Sequence, residues 1–143
     1  MLITIILYTK DKTLRKGFTQ EFGDVAELIF PDSIASLICS IKTRHSCIII
    51  VENSVSDKSL IKIIGNPCSQ KHNHEMYLLV SDYQENFIRS LFDLGLKGII
   101  RKDDYLLGTE AVVRIFKKEY NRKAKLLEYF ISPLTMINRA TFR

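Results

Sequence analysis

The stretch from Met76 to Asp104, MYLLVSDYQENFIRSLFDLGLKGIIRKDD, changes its apolar period twice and constrains the fold more than any other part of the chain. Met76–Val80 is an unbroken apolar run of strand length, suited to burial on both faces. From Glu85 onward, Phe87, Ile88, Leu91 and Phe92 fall on one helical stripe. Gly95 ends that helix by tolerating a left-handed backbone. Leu96–Ile100 then predicts a second buried strand, which delivers Arg101 and Lys102 to its carboxyl end. A strand–helix–strand unit closes parallel and right-handed, so Ser81 and Lys102 are expected to emerge at one edge of a sheet. In doubly wound sheets that edge is where sites are built.

The rest of the chain repeats the alternation. Leu2–Tyr8 predicts the first strand, and Leu14, Phe18 and Phe22 step by four along a helix that Gly23 ends. Asp24–Phe30 predicts strand two. Ser33 offers an N-cap to a helix striped by Ile34, Leu37, Ile38 and Ile41. Ser46–Val51 is the most apolar run and belongs at the sheet centre, with Glu52–Ser56 as its exit loop. Leu60, Ile61 and Ile64 mark a third helix. Thr109 caps a fifth, whose stripe runs through Val112, Val113, Phe116 and Tyr120 and on through Ala124, Leu127 and Ile131 until Pro133 stops it. Five strands alternating with five helices predict a flavodoxin-like α/β sandwich with parallel strands in the order 2-1-3-4-5. No glycine-rich dinucleotide fingerprint and no P-loop motif is present, so nucleotide-binding readings lose their support.

Composition narrows the function. With 143 residues, 46% hydrophobic and 26% charged, the chain can bury a core and is not disordered. It has no apolar run of the ~20 residues a bilayer span needs, and the N-terminus lacks a basic leader or cleavage site. Three cysteines without C-x-x-C spacing, Cys39, Cys47 and Cys68, are expected to be reduced and buried in a cytoplasmic protein. His72 and His74, in KHNHE, are expected in a solvated loop and not at a metal. Charge is uneven: residues 1–113 carry 13 Lys and Arg against 14 Asp and Glu, whereas residues 114–143 carry 8 against 2. Any polyanion contact would belong to the C-terminal end. The simpler account is that Arg114, Lys117, Lys118, Arg122, Lys123 and Lys125 solvate the outer face of a helix.

Ser81 after strand four and Gly98-Ile99-Ile100-Arg101-Lys102-Asp103 at strand five resemble the last third of a bacterial response-regulator receiver domain, CheY-like in fold. The likeness is to the NarL/FixJ subfamily attached to LuxR-type helix-turn-helix domains, whose helix-one signature Arg15-Lys16-Gly17-Phe18 also matches. In such receivers, two carboxylates after strand one and an aspartate ending strand three hold Mg²⁺, because that ion demands hard oxygen ligands. Here the acid pair falls on Thr9 and Lys10, with Asp11 beside them, and the phosphoacceptor position on Val51 or Glu52. Of the phosphoryl-binding residues only Ser81 and Lys102 match. A lysine in the cation corner repels Mg²⁺ by a few kcal/mol at an effective dielectric near ~20. The resemblance therefore implies an atypical, pseudo-receiver pocket formed by Thr9, Lys10, Asp11, Val51, Glu52, Ser81 and Lys102, with no catalysis, metal or cofactor. Glu52 would either mimic a permanent phosphoryl charge, countered by Lys10 and Lys102, or be a solvated loop acid.

The resemblance further implies a receiver-like domain over residues 1–120 and a basic helical linker or tail over 121–143. Leu134-Thr135 with Asn138-Arg139 echoes the L-T-x-R-E opening of the DNA-binding domain, so DNA would be met only through a C-terminal domain not in this chain. The chain is then an isolated regulatory fragment or a naturally short protein. The expected partner is a second copy or another regulator, docked on Arg89, Asp93, Lys97, Arg101, Asp103, Tyr105, Phe116, Lys117 and Tyr120, with no membrane contact. Charges of both signs there suit isologous cross-pairing.

Overall fold

The computed structural model describes residues 3–52, 57–65, 74–80, 85–101 and 108–142. Among the described residues, five strands, β1 (Thr4–Tyr8), β2 (Glu27–Ile29), β3 (Cys47–Glu52), β4 (Glu75–Val80) and β5 (Gly98–Arg101), alternate with five helices. The helices are α1 (Lys12–Phe22), α2 (Ile34–Lys42), α3 (Asp57–Ile64), α4 (Glu85–Asp93) and α5 (Thr109–Phe142). The sheet is parallel throughout, in the order β2-β1-β3-β4-β5 expected from the sequence.

Strand alternation sorts the core into two layers. Ile6, Ile49, Val51, Leu78 and Val80 face α2, α3 and α4 through Leu37, Ile41, Ile63, Ile64, Ile88 and Leu91. Ile5, Leu7, Ile48, Ile50, Tyr77 and Leu79 face α1 and α5 through Leu14, Phe18, Phe22, Val112, Val113 and Phe116. Aromatic rings fill this second layer: Phe18 lies 5.9 Å from Phe116, and Tyr77 meets Phe116 edge-on at 5.2 Å. Such pairs contribute about 0.5–1.5 kcal/mol beyond the area they bury. Gly17 lets α1 approach α5, since a Cβ there would lie 2.8 Å from Thr109 Cγ2.

Several boundaries differ from expectation for local reasons. β2 starts at Glu27 because the N–H groups of Val25 and Ala26 both turn back to the Phe22 carbonyl. Glu52 belongs to β3, pairing with Leu79, and is not the first residue of a loop. Gly23 sits in ordinary right-handed backbone, φ −57°, and closes α1 through its N–H to Thr19 O at 3.0 Å. Gly95, by contrast, has φ +118°. Leu96 N–H reaches Leu91 O and Gly95 N–H reaches Phe92 O, the paired bonds of a Schellman cap whose flanking leucines are both buried. On α3, Ile63 takes the inward position and Ile61 is exposed. Ser33 does cap α2, accepting from Ser36 N–H.

Helix α5 is continuous through Pro133 to Phe142, against the stop expected there. A proline interrupts one i→i−4 bond, to residue 129, while the flanking turns keep theirs. Two expectations about burial also change. Cys39 is exposed and only Cys47 is buried among the described cysteines. His74 is not in a solvated loop: half-buried, it accepts the Cys47 N–H at Nδ1, 3.2 Å away, which requires that nitrogen to be unprotonated.

Candidate functional site

The carboxyl ends of β1 and β3 are adjacent, with Tyr8 opposite Val51 in register. Val51 is 1% exposed and belongs to the core, so the residue that reaches the sheet edge is Glu52. Thr9, the residue after β1, donates its hydroxyl to Glu52 Oε2 at 2.7 Å and accepts the Asp11 N–H at 3.0 Å. The Lys10 backbone N–H also points at Glu52 Oε2, at a longer 3.4 Å, while the Lys10 side chain is exposed and makes no ion pair among the described residues. Asp11 is the N-cap of α1, its Oδ1 accepting the N–H groups of Thr13 and Leu14. Arg15 completes the corner: Nε and Nη2 both donate to Thr9 O, at 3.1 and 2.8 Å. This fork fixes the turn between β1 and α1 as a planar guanidinium can and an ammonium cannot.

A small cavity of about 100 Å³ opens beside this corner, lined by Tyr8, Thr9, Lys10, Arg15, Pro31 and Asp32. A larger groove, about 570 Å³, lies on the α1–α5 surface instead and does not include Glu52. Among the described residues, this corner is where a carboxylate, a hydroxyl and backbone donors converge.

Among the described residues, this corner offers a divalent cation few free oxygen ligands. Asp11 spends its Oδ1 on the helix cap, Glu52 is the lone acid ending β3, and a hydroxyl and a lysine stand where the acid pair would be. No group of three His, Cys, Asp or Glu side chains among the described residues could hold a metal ion.

Of the sequence-predicted pocket, the structure brings together Thr9, Lys10, Asp11 and Glu52. Ser81 and Lys102 lie outside the described residues, as do Asp103 and Tyr105 of the expected partner face. Arg89, Asp93, Lys97 and Arg101 are exposed on α4, its exit turn and β5. Phe116 does not belong with them: it is fully buried against α1 and the sheet. Lys117 pairs with Glu21 of α1 at 3.1 Å, and Tyr120 donates its hydroxyl to Val25 O at 2.8 Å. These three side chains face the α1 side of α5, because one helical stripe can serve only one neighbour.

A second polar cluster, not foreseen from the sequence, sits at the opposite, amino-terminal edge of the sheet. Lys123 is buried to 1% exposure, with its ammonium 3.8 Å from Glu75 Oε2. Arg122 pairs with Glu75 Oε1 and, at 3.0 Å, with Glu119, which also accepts the Tyr77 hydroxyl at 2.9 Å. Burial lowers the Lys123 pKa despite the opposing pull of Glu75, while burial next to Glu75 and Glu119 raises that of Tyr77. Burial also pushes the Cys47 thiol up to about 12. Lys123 and Arg122 therefore do not simply solvate a helix face. The only sequence signal was the spacing: the core stripe of α5 passes through Tyr120 and Leu127, and Lys123 lies midway between them.

The fold is that of the response-regulator receiver domains, the CheY-like form of the flavodoxin sandwich. Solved structures similar to it include the signal receiver domain assigned to a LuxO repressor protein of Vibrio parahaemolyticus, at 12% identity and TM-score 0.67, covering 92% of this chain and 98% of that one. A response regulator receiver domain from Methanospirillum hungatei matches at 10% identity and TM-score 0.65, over 87% of this chain and 98% of its own. The chemotaxis protein CheY4 of Vibrio cholerae matches at 8% identity and TM-score 0.62, over 82% and 98%. No protein-family model and no curated protein matches the sequence. Among the described residues, no helix is long and apolar enough to cross a membrane.

Proposed function

We propose that this chain is a receiver-like regulatory domain of a bacterial transcription regulator that works without phosphorylation. It sets DNA binding by its regulator through homo- or heterodimerisation, and it performs no catalysis of its own. The observation that carries this reading is the 2.7 Å bond from Thr9 to Glu52. At the corner where a phosphorylatable receiver needs three acids, a carboxylate is already held by a neutral hydroxyl. A lysine stands beside it, against a divalent ion. Glu52 supplies a standing negative charge there, so association does not wait for a phosphoryl group. The exposed charges of both signs at Arg89, Asp93, Lys97 and Arg101 suit an isologous contact. The test is sedimentation of the chain with and without Mg²⁺ and beryllofluoride. The expected mass is the same in all conditions. A ligand-induced dimer, or labelling by acetyl phosphate in Mg²⁺, would overturn the reading.

A second reading is a partner-binding module that acts on another regulator or kinase without DNA. It draws support from the exposed charges at Arg89, Asp93, Lys97 and Arg101, which suit a partner of another kind as well as a second copy. Co-purification with such a partner in the absence of any DNA-binding domain would favour it.

A further inference from the structure

The structure divides the basic residues of α5 into two sets. Lys117 is tied to Glu21, Arg122 to Glu75 and Glu119, and Lys123 is buried against Glu75. Arg114, Lys118 and Lys125 are exposed and have no acidic partner among the described residues. These three do not scatter. At about 100° per residue, positions 114, 118 and 125 fall within about 40° of one another, with exposed Asn121 on the same line. They form a straight ridge about 17 Å long at a rise of about 1.5 Å per residue, bounded by Glu110 at one end and, in sequence, Glu128 at the other.

We propose that this ridge binds the phosphate backbone of nucleic acid, through Arg114, Lys118 and Lys125 with Asn121 as a neutral donor. The inference stands apart from the dimerisation reading above, and it departs from the expectations that DNA is met only through a domain outside this chain and that these cations merely solvate a helix face. A duplex presents about one charge per 1.7 Å of axis, so a rigid cationic line of this length meets several phosphates at once. Arg, Lys and Asn side chains are the usual donors to phosphate oxygens, and such contacts position a protein without reading sequence. The ridge carries no apolar anchor between Arg114 and Lys125, whereas a tight protein interface is built around one. An acidic protein segment is therefore the less favoured occupant.

The experiment is a fluorescence-anisotropy titration of the full chain against a labelled duplex of about 20 base pairs over a range of salt. Three phosphate contacts give a log–log salt slope of about −2.7. The double variant Lys118→Glu with Lys125→Glu should bind at least about tenfold more weakly and lose most of that slope. Lys42→Glu with Lys62→Glu changes the net charge equally on α2 and α3, in the other helical layer, and should leave binding near the unmodified level. All four side chains are exposed, so the variants are expected to keep the parent circular dichroism spectrum. The proposal fails if the duplex is not bound at low salt. It also fails if the control pair weakens binding as much as the ridge pair. Poly-glutamate binding with the same affinity and slope as the duplex would overturn it in favour of an acidic protein partner.

Discussion

Thr9 shows how much one side chain decides. Its hydroxyl donates to Glu52 and accepts from Asp11, so both capacities are used. The identities of Thr9, Lys10 and Glu52 were legible in the sequence. Which of Val51 and Glu52 reaches the edge was not, because a one-residue slip swaps the faces of a strand. Cysteine chemistry follows from burial in the same way. Peptide-level mass spectrometry after brief iodoacetamide treatment should find Cys39 alkylated and Cys47 protected, since Cys47 is buried and its thiol is held up to about 12. Gly95→Ala should cost about 1 kcal/mol or more in urea denaturation, because a side chain is strained at φ +118° although no atom blocks it. Glu27 sets a pH dependence. Its hydrogen bond from Arg44, helped by one from Thr4, holds its carboxyl below the ordinary value. The stabilisation is therefore present above the ordinary carboxylate range and lost as pH falls through the lowered value. Glu27→Gln should flatten that part of the acid limb in denaturant midpoints measured against pH, modestly because the pair is partly exposed.

At the scale of elements, α5 is the helix whose role most exceeds its sequence signal. Its apolar stripe was legible through the 3.6-residue period, but a period cannot show a lysine turned inward. Lys123 is inward because the helix passes the amino end of β4, where Glu75 offers a charge it can approach. Breaking a buried pair and never having one are energetically different events. Glu75→Ala should cost about 3 kcal/mol by leaving Lys123 buried without its carboxylate, whereas Lys123→Met should cost less, because Glu75 keeps its pair with Arg122. Chemical denaturation of both variants checks the asymmetry; equal losses would mean the cluster is ordinary packing. The α4 exit shows the opposite balance. Gly95 announces a left-handed helix stop in sequence, and the structure closes it with the bonds of a Schellman cap.

For the whole molecule, the division at residue 120 meets packing that runs further: Arg122 and Lys123 engage Glu75, and Ala124 and Leu127 lie against the α1–α5 core. Truncation after residue 120 should lower the melting temperature by several degrees relative to truncation after residue 127, which keeps these contacts. Scanning calorimetry of the two shortened chains measures the difference. The sandwich itself followed from the residues in order. Apolar runs of strand length alternating with helical stripes leave a parallel sheet covered on both faces as the arrangement that buries them all. Local periodicity is enough for this because it is written in neighbouring residues. The Thr9–Glu52 contact spans 43 positions and the Arg122–Glu75 contact 47, so neither leaves a mark in any short window. Only the folded chain decides which charges meet, because long side chains take their partners from strands and helices brought together by the sheet order, not from their neighbours in sequence.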